Sequence, residues 1–258
     1  MFVLNTIAHR IARGCQTMQF PKGTPPEMPD RFPGALHFDA SKCTAGCRDC
    51  AAVCPTDAIR PAGSKLATLD LGACIFCGAC IDTCEQGAVK TTGDYRMAAR
   101  TKDDLVLGKP GQEELRLAAA LDAKLKKLFG RSLRLRQVSA GGCNACEADI
   151  NVLSTIGWDL GRFGIQVVAS PRHADGLLIT GPVTKNMELA LRKTYDAIPD
   201  PKIVIAVGTC AISGGLFAGS GETAQGADNV VPVDLYIPGC PPHPLTILDG
   251  ILRLLGKV

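Results

Sequence analysis

The stretch 202-KIVIAVGTCAISGG-215 sets five apolar residues in a row, ends them at Gly208 and places Cys210 two residues on. A run that short and that rich in β-branched side chains reads as a strand buried on both faces, and the glycine marks a turn at its carboxyl end. Working outward, similar runs lie at 133–138, 165–169, 176–180 and 230–233, with helical patterns near 145–157, 185–198 and 243–256. Strands alternating with helices predict an α/β domain over 132–258 with a mainly parallel sheet. Ligands in such sheets sit beyond the carboxyl ends of the strands. Cys210 is therefore placed where chemistry is expected.

Two other strand ends repeat the arrangement. The 133–138 run leads into 141-GGCNACEAD-149 with Cys143 and Cys146, and 235-LYIPGCPPHP-244 carries Cys240 just before the last helix. Gly141, Gly142, Gly208 and Gly239 let the backbone approach a bulky group closely, while Pro241 and Pro242 fix the entry to that helix. A C-x-x-C pair alone suits a redox dithiol, half a zinc site or half an iron–sulfur site. A dithiol leaves Cys210 and Cys240 unexplained, and catalytic zinc takes nitrogen or carboxylate ligands with an open position. Four thiolates with no histidine at ligand spacing fit a [4Fe–4S] cluster better.

The chain holds 13 cysteines in 258 residues, an odd count that does not suit a disulfide framework. A net charge of +3, scattered Lys and Arg and 5% aromatic residues give no nucleic-acid signal. No apolar run reaches the length of a membrane span, and the polar start MFVLNTIAHRIARG does not read as a secretory signal. The expected location is cytoplasmic.

Eight of the remaining cysteines form an internal repeat in 36–93. The second half, 74-CIFCGACIDTCEQGAV-89, overlays 43-CTAGCRDCAAVCPTDAI-59 at a shift of 30 from Cys47 onward. Cys74, Cys77, Cys80 and Cys84 have the C-x2-C-x2-C-x3-C spacing of bacterial ferredoxins, in which the fourth cysteine serves the other cluster. That rule assigns one cluster to Cys43, Cys47, Cys50 and Cys84, and a second to Cys74, Cys77, Cys80 and Cys54. Cys43 and Cys47 are one residue further apart than usual, so a bulge is expected there, and Glu85 replaces the proline that follows Cys54. Structural zinc is the alternative for these thiols. Cys15 is left over and is expected to be an inert buried thiol.

Taken together, GGCNAC, the strand followed by GTC and PGCPPHP resemble the cluster-bearing small subunit shared by complex I and the membrane-bound [NiFe] hydrogenases. Residues 1–93 resemble the two-cluster ferredoxin subunit of formate hydrogenlyase-type complexes, including the arm with Arg31, Phe32 and Gly34. The resemblance implies a bacterial 2[4Fe–4S] ferredoxin-like domain (36–93) after an N-terminal helix and arm (1–35). A helical linker (94–131) then leads to a flavodoxin-like parallel-sheet domain (132–258). Complex I subunits carry adjacent cysteines at the first ligand position; Cys143-Asn144-Ala145-Cys146 follows the hydrogenase pattern instead.

Three clusters and no substrate pocket imply an electron wire. The resemblance implies as partners a [NiFe] or complex I-like large subunit, a donor or acceptor subunit or soluble ferredoxin, and membrane subunits, with the chain peripheral to the inner face of the membrane. Formate hydrogenlyase or energy-converting hydrogenase is the expected setting. A nickel-free relative exchanging electrons with quinone or ferredoxin is the rival, and a zinc scaffold lies outside both.

Several residues carry two readings. Glu147 and Asp149 suit a helix N-terminus, or a proton relay towards the partner. His243 either tunes the third cluster or caps a helix, and His9, His37 and His173 are structural. The 2–13 helix has an apolar side for a partner subunit or a membrane surface. The glycine-rich 213–226 segment lacks a phosphate-loop ending and is expected to face a partner. Leu117, Leu121, Leu125 and Leu128 predict a helix over 112–129.

Overall fold

The computed structural model describes residues 2–43, 46–62, 66–109 and 114–258. Helix α1 (Phe2–Arg13) forms where the periodicity predicts it, yet Val3, Leu4 and Ile11 remain more than two-thirds exposed at 71%, 72% and 76%. The extended arm that follows is pinned to the C-terminal half. The Arg162 guanidinium donates to the carbonyls of Met18 and Phe20, and the Phe20 ring is buried.

The cysteine repeat folds as two interlocked halves. In chain order it contains β1 (Leu36–Phe38), α2 (Asp49–Ala52), β2 (Ile59–Ala62), β3 (Leu66–Asp70), α3 (Ala79–Thr83) and β4 (Val89–Thr91). β1, before the first motif, pairs antiparallel with β4 after the second, and β2 pairs antiparallel with β3. Each half thus closes the other, which places the fourth cysteine of one run beside the first three of its mate.

The connector differs from the helical strut expected over 112–129. It contributes β5 (Val106–Leu107), which adds to β3, and an antiparallel bridge from Ala99 to Tyr236. Its helix, α4, covers only Ala123–Phe129. Upstream the backbone is spent on distant partners: Ala118 N–H donates to Ala98 and Leu121 N–H to Leu254. The Asp122 side chain then accepts from Leu125 N–H at 2.9 Å and starts the helix late. Leu121 is buried by this packing while Leu128 stays exposed; the part of the expected helix at 112–113 lies outside the described residues.

The C-terminal half runs β6 (Leu133–Ser139), α5 (Ala145–Val152), β7 (Ile165–Val167), β8 (Gly176–Thr180), α6 (Lys185–Asp196), β9 (Ile203–Val207), α7 (Thr209–Ser213), β10 (Leu235–Ile237) and α8 (Pro244–Leu254). Its five strands are all parallel in the order β10-β9-β8-β6-β7. Numbered within the domain this is 2-1-3-4-5, the flavodoxin-like order with its switch point between β6 and β8. The strand expected at 230–233 is not formed. Ala227–Asn229 is a 3-10 turn that takes the Val231 amide, and Pro232 has none to give. The strand begins after Asp234, whose carboxylate accepts from Val204 N–H at 2.9 Å.

β8 and β9 are buried at every position, as their unbroken apolar runs require. One face of the sheet packs Leu133, Leu178 and Ile205 against Leu248 and Leu252 of α8. On the other side Val138, Leu177 and Ala206 share a single buried cluster with Leu36, Ile59 and Leu69 of the cysteine repeat. Each Leu, Ile or Val side chain so buried contributes about 1.5–3 kcal/mol. The two halves are therefore packed into one body.

Candidate metal centres

Twelve of the thirteen cysteines gather into three groups of four. Cys50 lies within electrostatic reach of Cys43, Cys84 and Cys47, and Cys43 has Cys84 and Cys47 as neighbours. Cys74 faces Cys80, Cys54 and Cys77. Cys146 faces Cys210, Cys240 and Cys143. Cys84 thus lies beside the first motif and Cys54 beside the second. Cys15 stands apart and, against the expectation of burial, is exposed at the loose end of α1, with its thiol on the Thr17 carbonyl.

The second group lines a narrow pocket in which Cys54, Cys74, Cys77 and Cys80 share the wall with Leu36, Ile59 and Leu69. A compact space with four soft sulfur donors and aliphatic sides fits a sulfide-bridged iron cluster. Burial first, and neighbouring thiols second, push Cys74 up to about 12 and Cys80 up to about 11. Burial likewise holds Cys146 at about 12 and Cys210 at about 11. Such thiols are protonated at neutral pH, so metal binding must displace protons from them. Cys54 goes the other way: burial raises it, but the amides of Thr56, Ile59 and Ala58 outweigh that and lower the net value.

Local backbone geometry follows from the small residues in the motifs. Gly78 (φ 83°) precedes α3 and Asn144 (φ 71°) precedes α5, each one residue beyond a cysteine. The amides of Phe76 and Ala88 each donate to sulfur at 3.3 Å, on Cys74 and Cys84. Gly208 (φ 90°) is required twice over, because a Cβ there would come 2.5 Å from the Cys146 sulfur. The bulge expected between Cys43 and Cys47 falls on 44–45, outside the described residues; Gly46 beside it has φ 83°.

The acids after Cys146 part company. Glu147 is buried and accepts from the hydroxyls of Ser139 and Thr180, both at 2.6 Å. Burial pushes its carboxyl up, but those two donors and its own amide outweigh it, so the net value is lowered. Asp149 has its carboxyl raised by burial, and it lines a groove with Cys240, His243, Phe32 and Phe76. His243 is the cap of α8: Nδ1 accepts from Leu245 N–H at 3.1 Å, and the ring lies between Phe32 and Trp158. Burial lowers its pKa, keeping it neutral. Ser139, Thr180 and Thr209 were not singled out from the sequence; the available signal was a hydroxyl at or just past the carboxyl end of an apolar strand.

Comparison with known proteins now decides the family. Residues 143–254 match the family described as NADH ubiquinone oxidoreductase, 20 Kd subunit, and residues 32–89 match the 4Fe-4S dicluster domain. A probable membrane-bound hydrogenase subunit, mbhJ, of Pyrococcus furiosus is 45% identical over 136 residues, which are 53% of this chain and 81% of that one. The chain belongs to the 20 kDa subunit family.

Formate hydrogenlyase subunit 7 of Escherichia coli is 46% identical over 54% of each chain. One NADH-quinone oxidoreductase subunit, from Desulfovibrio desulfuricans, is 47% identical over 44% of this chain and 61% of its own. This member of the 20 kDa subunit family is an electron-transfer subunit of the hydrogenase and complex I-like oxidoreductases, with a 4Fe-4S dicluster domain joined ahead of the family unit in one chain. The match to an iron–sulfur domain replaces the zinc reading of the repeat. No helix among the described residues is long and apolar enough to cross a membrane.

Proposed function

We propose that the chain carries three [4Fe–4S] clusters. Cys43, Cys47, Cys50 and Cys84 hold the first; Cys54, Cys74, Cys77 and Cys80 hold the second; Cys143, Cys146, Cys210 and Cys240 hold the third. The observation that carries this is the gathering of twelve thiols into three sets of four. Each cluster supplies one-electron storage at a potential set by burial, charge and hydrogen bonds. The protein's part is to hold them in series, to shield the second with Leu36, Ile59 and Leu69, and to donate amides to the Cys74 and Cys84 sulfurs.

The wire serves a partner large subunit with a nickel–iron site, on the cytoplasmic side of a membrane-associated complex with its own membrane subunits. An external donor or acceptor subunit, or soluble ferredoxin, serves the dicluster end. Support comes from the spaced Cys143 and Cys146 and from the names of the mbhJ and formate hydrogenlyase relatives. The relative from an NADH-quinone oxidoreductase supports a second reading, the same wire beside a nickel-free partner. Metal analysis of the anaerobically purified complex separates them. About 12 iron atoms per copy from this chain are expected, and nickel near one per copy selects the hydrogenase. Iron without nickel from nickel-replete cells selects the second reading, and absence of iron refutes both.

A relay role for Glu147 and Asp149 belongs to the same reading. Glu147→Gln is expected to leave the cluster spectra intact and to slow hydrogen turnover. Unchanged turnover would remove the relay and leave Glu147 as a buried anion held by Ser139 and Thr180.

A further inference from the structure

We propose that Thr209 is the clasp between the second and third cluster sites, a positioning residue whose hydroxyl sets the gap an electron crosses between them. This rests on the cluster assignment above. Thr209 is fully buried at the start of α7, immediately before Cys210. Its hydroxyl donates to the carbonyl of Cys74, a ligand of the second site, at 2.7 Å. The same hydroxyl lies 3.1 Å from the Gly239 carbonyl, and the Thr209 amide donates to that carbonyl at 2.9 Å. Gly239 precedes Cys240. One side chain, itself next to Cys210, therefore touches the main chain at Cys74 of the second site and at Gly239 beside Cys240 of the third.

The rest of α7 reinforces the contact. One turn on, Ser213 Oγ donates to the Gly72 carbonyl at 3.0 Å. A Cβ on Gly72 would meet Ile212 at 2.9 Å, so the loop before Cys74 lies flat on the helix. Ile75 and Phe76, inside the Cys74–Cys77 loop, line one groove with Gly239 and Cys240. A hydroxyl has a single proton, and the shorter distance directs it to Cys74. Without that proton the buried carbonyl loses its partner, and the loop gains reason to lift away. What crosses the gap is one electron, lost at one site and gained at the other, with no bond made or broken.

The test compares Thr209→Val, which keeps the shape and removes the donor, with Thr209→Ser, which keeps the donor. Both are made in the full chain within its anaerobically purified complex. Thr209→Val is expected to retain wild-type iron. Hydrogen exchange of the amides in 72–76 should quicken about tenfold, and the magnetic splitting between the two neighbouring reduced clusters should weaken. Thr209→Ser should restore both. Thr209→Ala, with the same readouts, serves if the valine variant does not accumulate. Wild-type exchange and splitting in the variants lacking the hydroxyl overturn the clasp. Absence of iron from the wild-type sites would instead overturn the cluster assignment, while the exchange rates still decide the clasp.

Discussion

Gly208 shows how one residue can hold a site open. It takes φ 90° between β9 and α7, and its missing Cβ is the space that the Cys146 sulfur fills. Gly208→Ala is expected to cost the third site its iron, about four atoms per chain, while the dicluster spectrum remains. Loss of no iron would mean that the loop can shift to accept a methyl. Asp94 offers a test by pH. Burial pushes its carboxyl up, but the two-pronged Arg96 guanidinium and the Arg96 amide outweigh it and leave a lowered value. Folding therefore gains from the pair above the unfolded aspartate value near pH 4, and the gain disappears as pH falls through the folded value. Asp94 is about a third exposed, so Asp94→Asn should cost only about 0.5 kcal/mol at neutral pH. The difference from wild type in a denaturant titration should vanish in acid. At this scale the cysteine motifs are legible in the sequence, because each lies within one short stretch of chain. The sequence announces the supporting hydroxyls poorly, because Ser139, Thr180 and Thr209 look like ordinary strand ends until their partners are folded beside them.

Among the elements, the legible ones were those whose pattern is set by burial on the spot. β8 and β9 appear close to where their apolar runs place them, and α6 and α8 within two residues of the expected ends. Two of the misread stretches spend their hydrogen bonds outside their own pattern, one on a local turn and one on distant backbone. The 230–233 run loses its amide to a local turn and a proline, and 114–121 spends its hydrogen bonds on Ala98 and Leu254. No periodicity in a single stretch records such partners. α4 starts where its own cap allows, so Asp122→Ala is expected to fray its first turn and cost about 1 kcal/mol. Thermal melting of the two proteins side by side would check it. An unchanged midpoint would mean that the Leu121 contact, rather than the cap, fixes the start.

For the whole molecule, the pattern predicts two domains and a linker, and the shared core changes how they should behave. Leu36, Ile59 and Leu69 are packed in the same cluster as Val138, Leu177 and Ala206, and side chains so joined cannot lose their packing independently. The single tryptophan, Trp158, reports on the C-terminal half, and hydrogen exchange of the amides in β1 and β4 reports on the other. The two signals should be lost in one transition in denaturant. Two well-separated midpoints would show instead that the halves merely touch.

The connector has a further consequence for solubility. By bridging Ala99 to Tyr236 it lies along the outer side of β10, the last strand of the parallel sheet. A bare strand there would offer its free amides and carbonyls to any stray chain, the usual route to edge-to-edge aggregation. The chain supplies its own guard for that edge from the segment that joins its two halves. Cutting the C-terminal half free at residue 132 would remove the guard, so the excised piece should be the less soluble product even where its sheet and core stay whole.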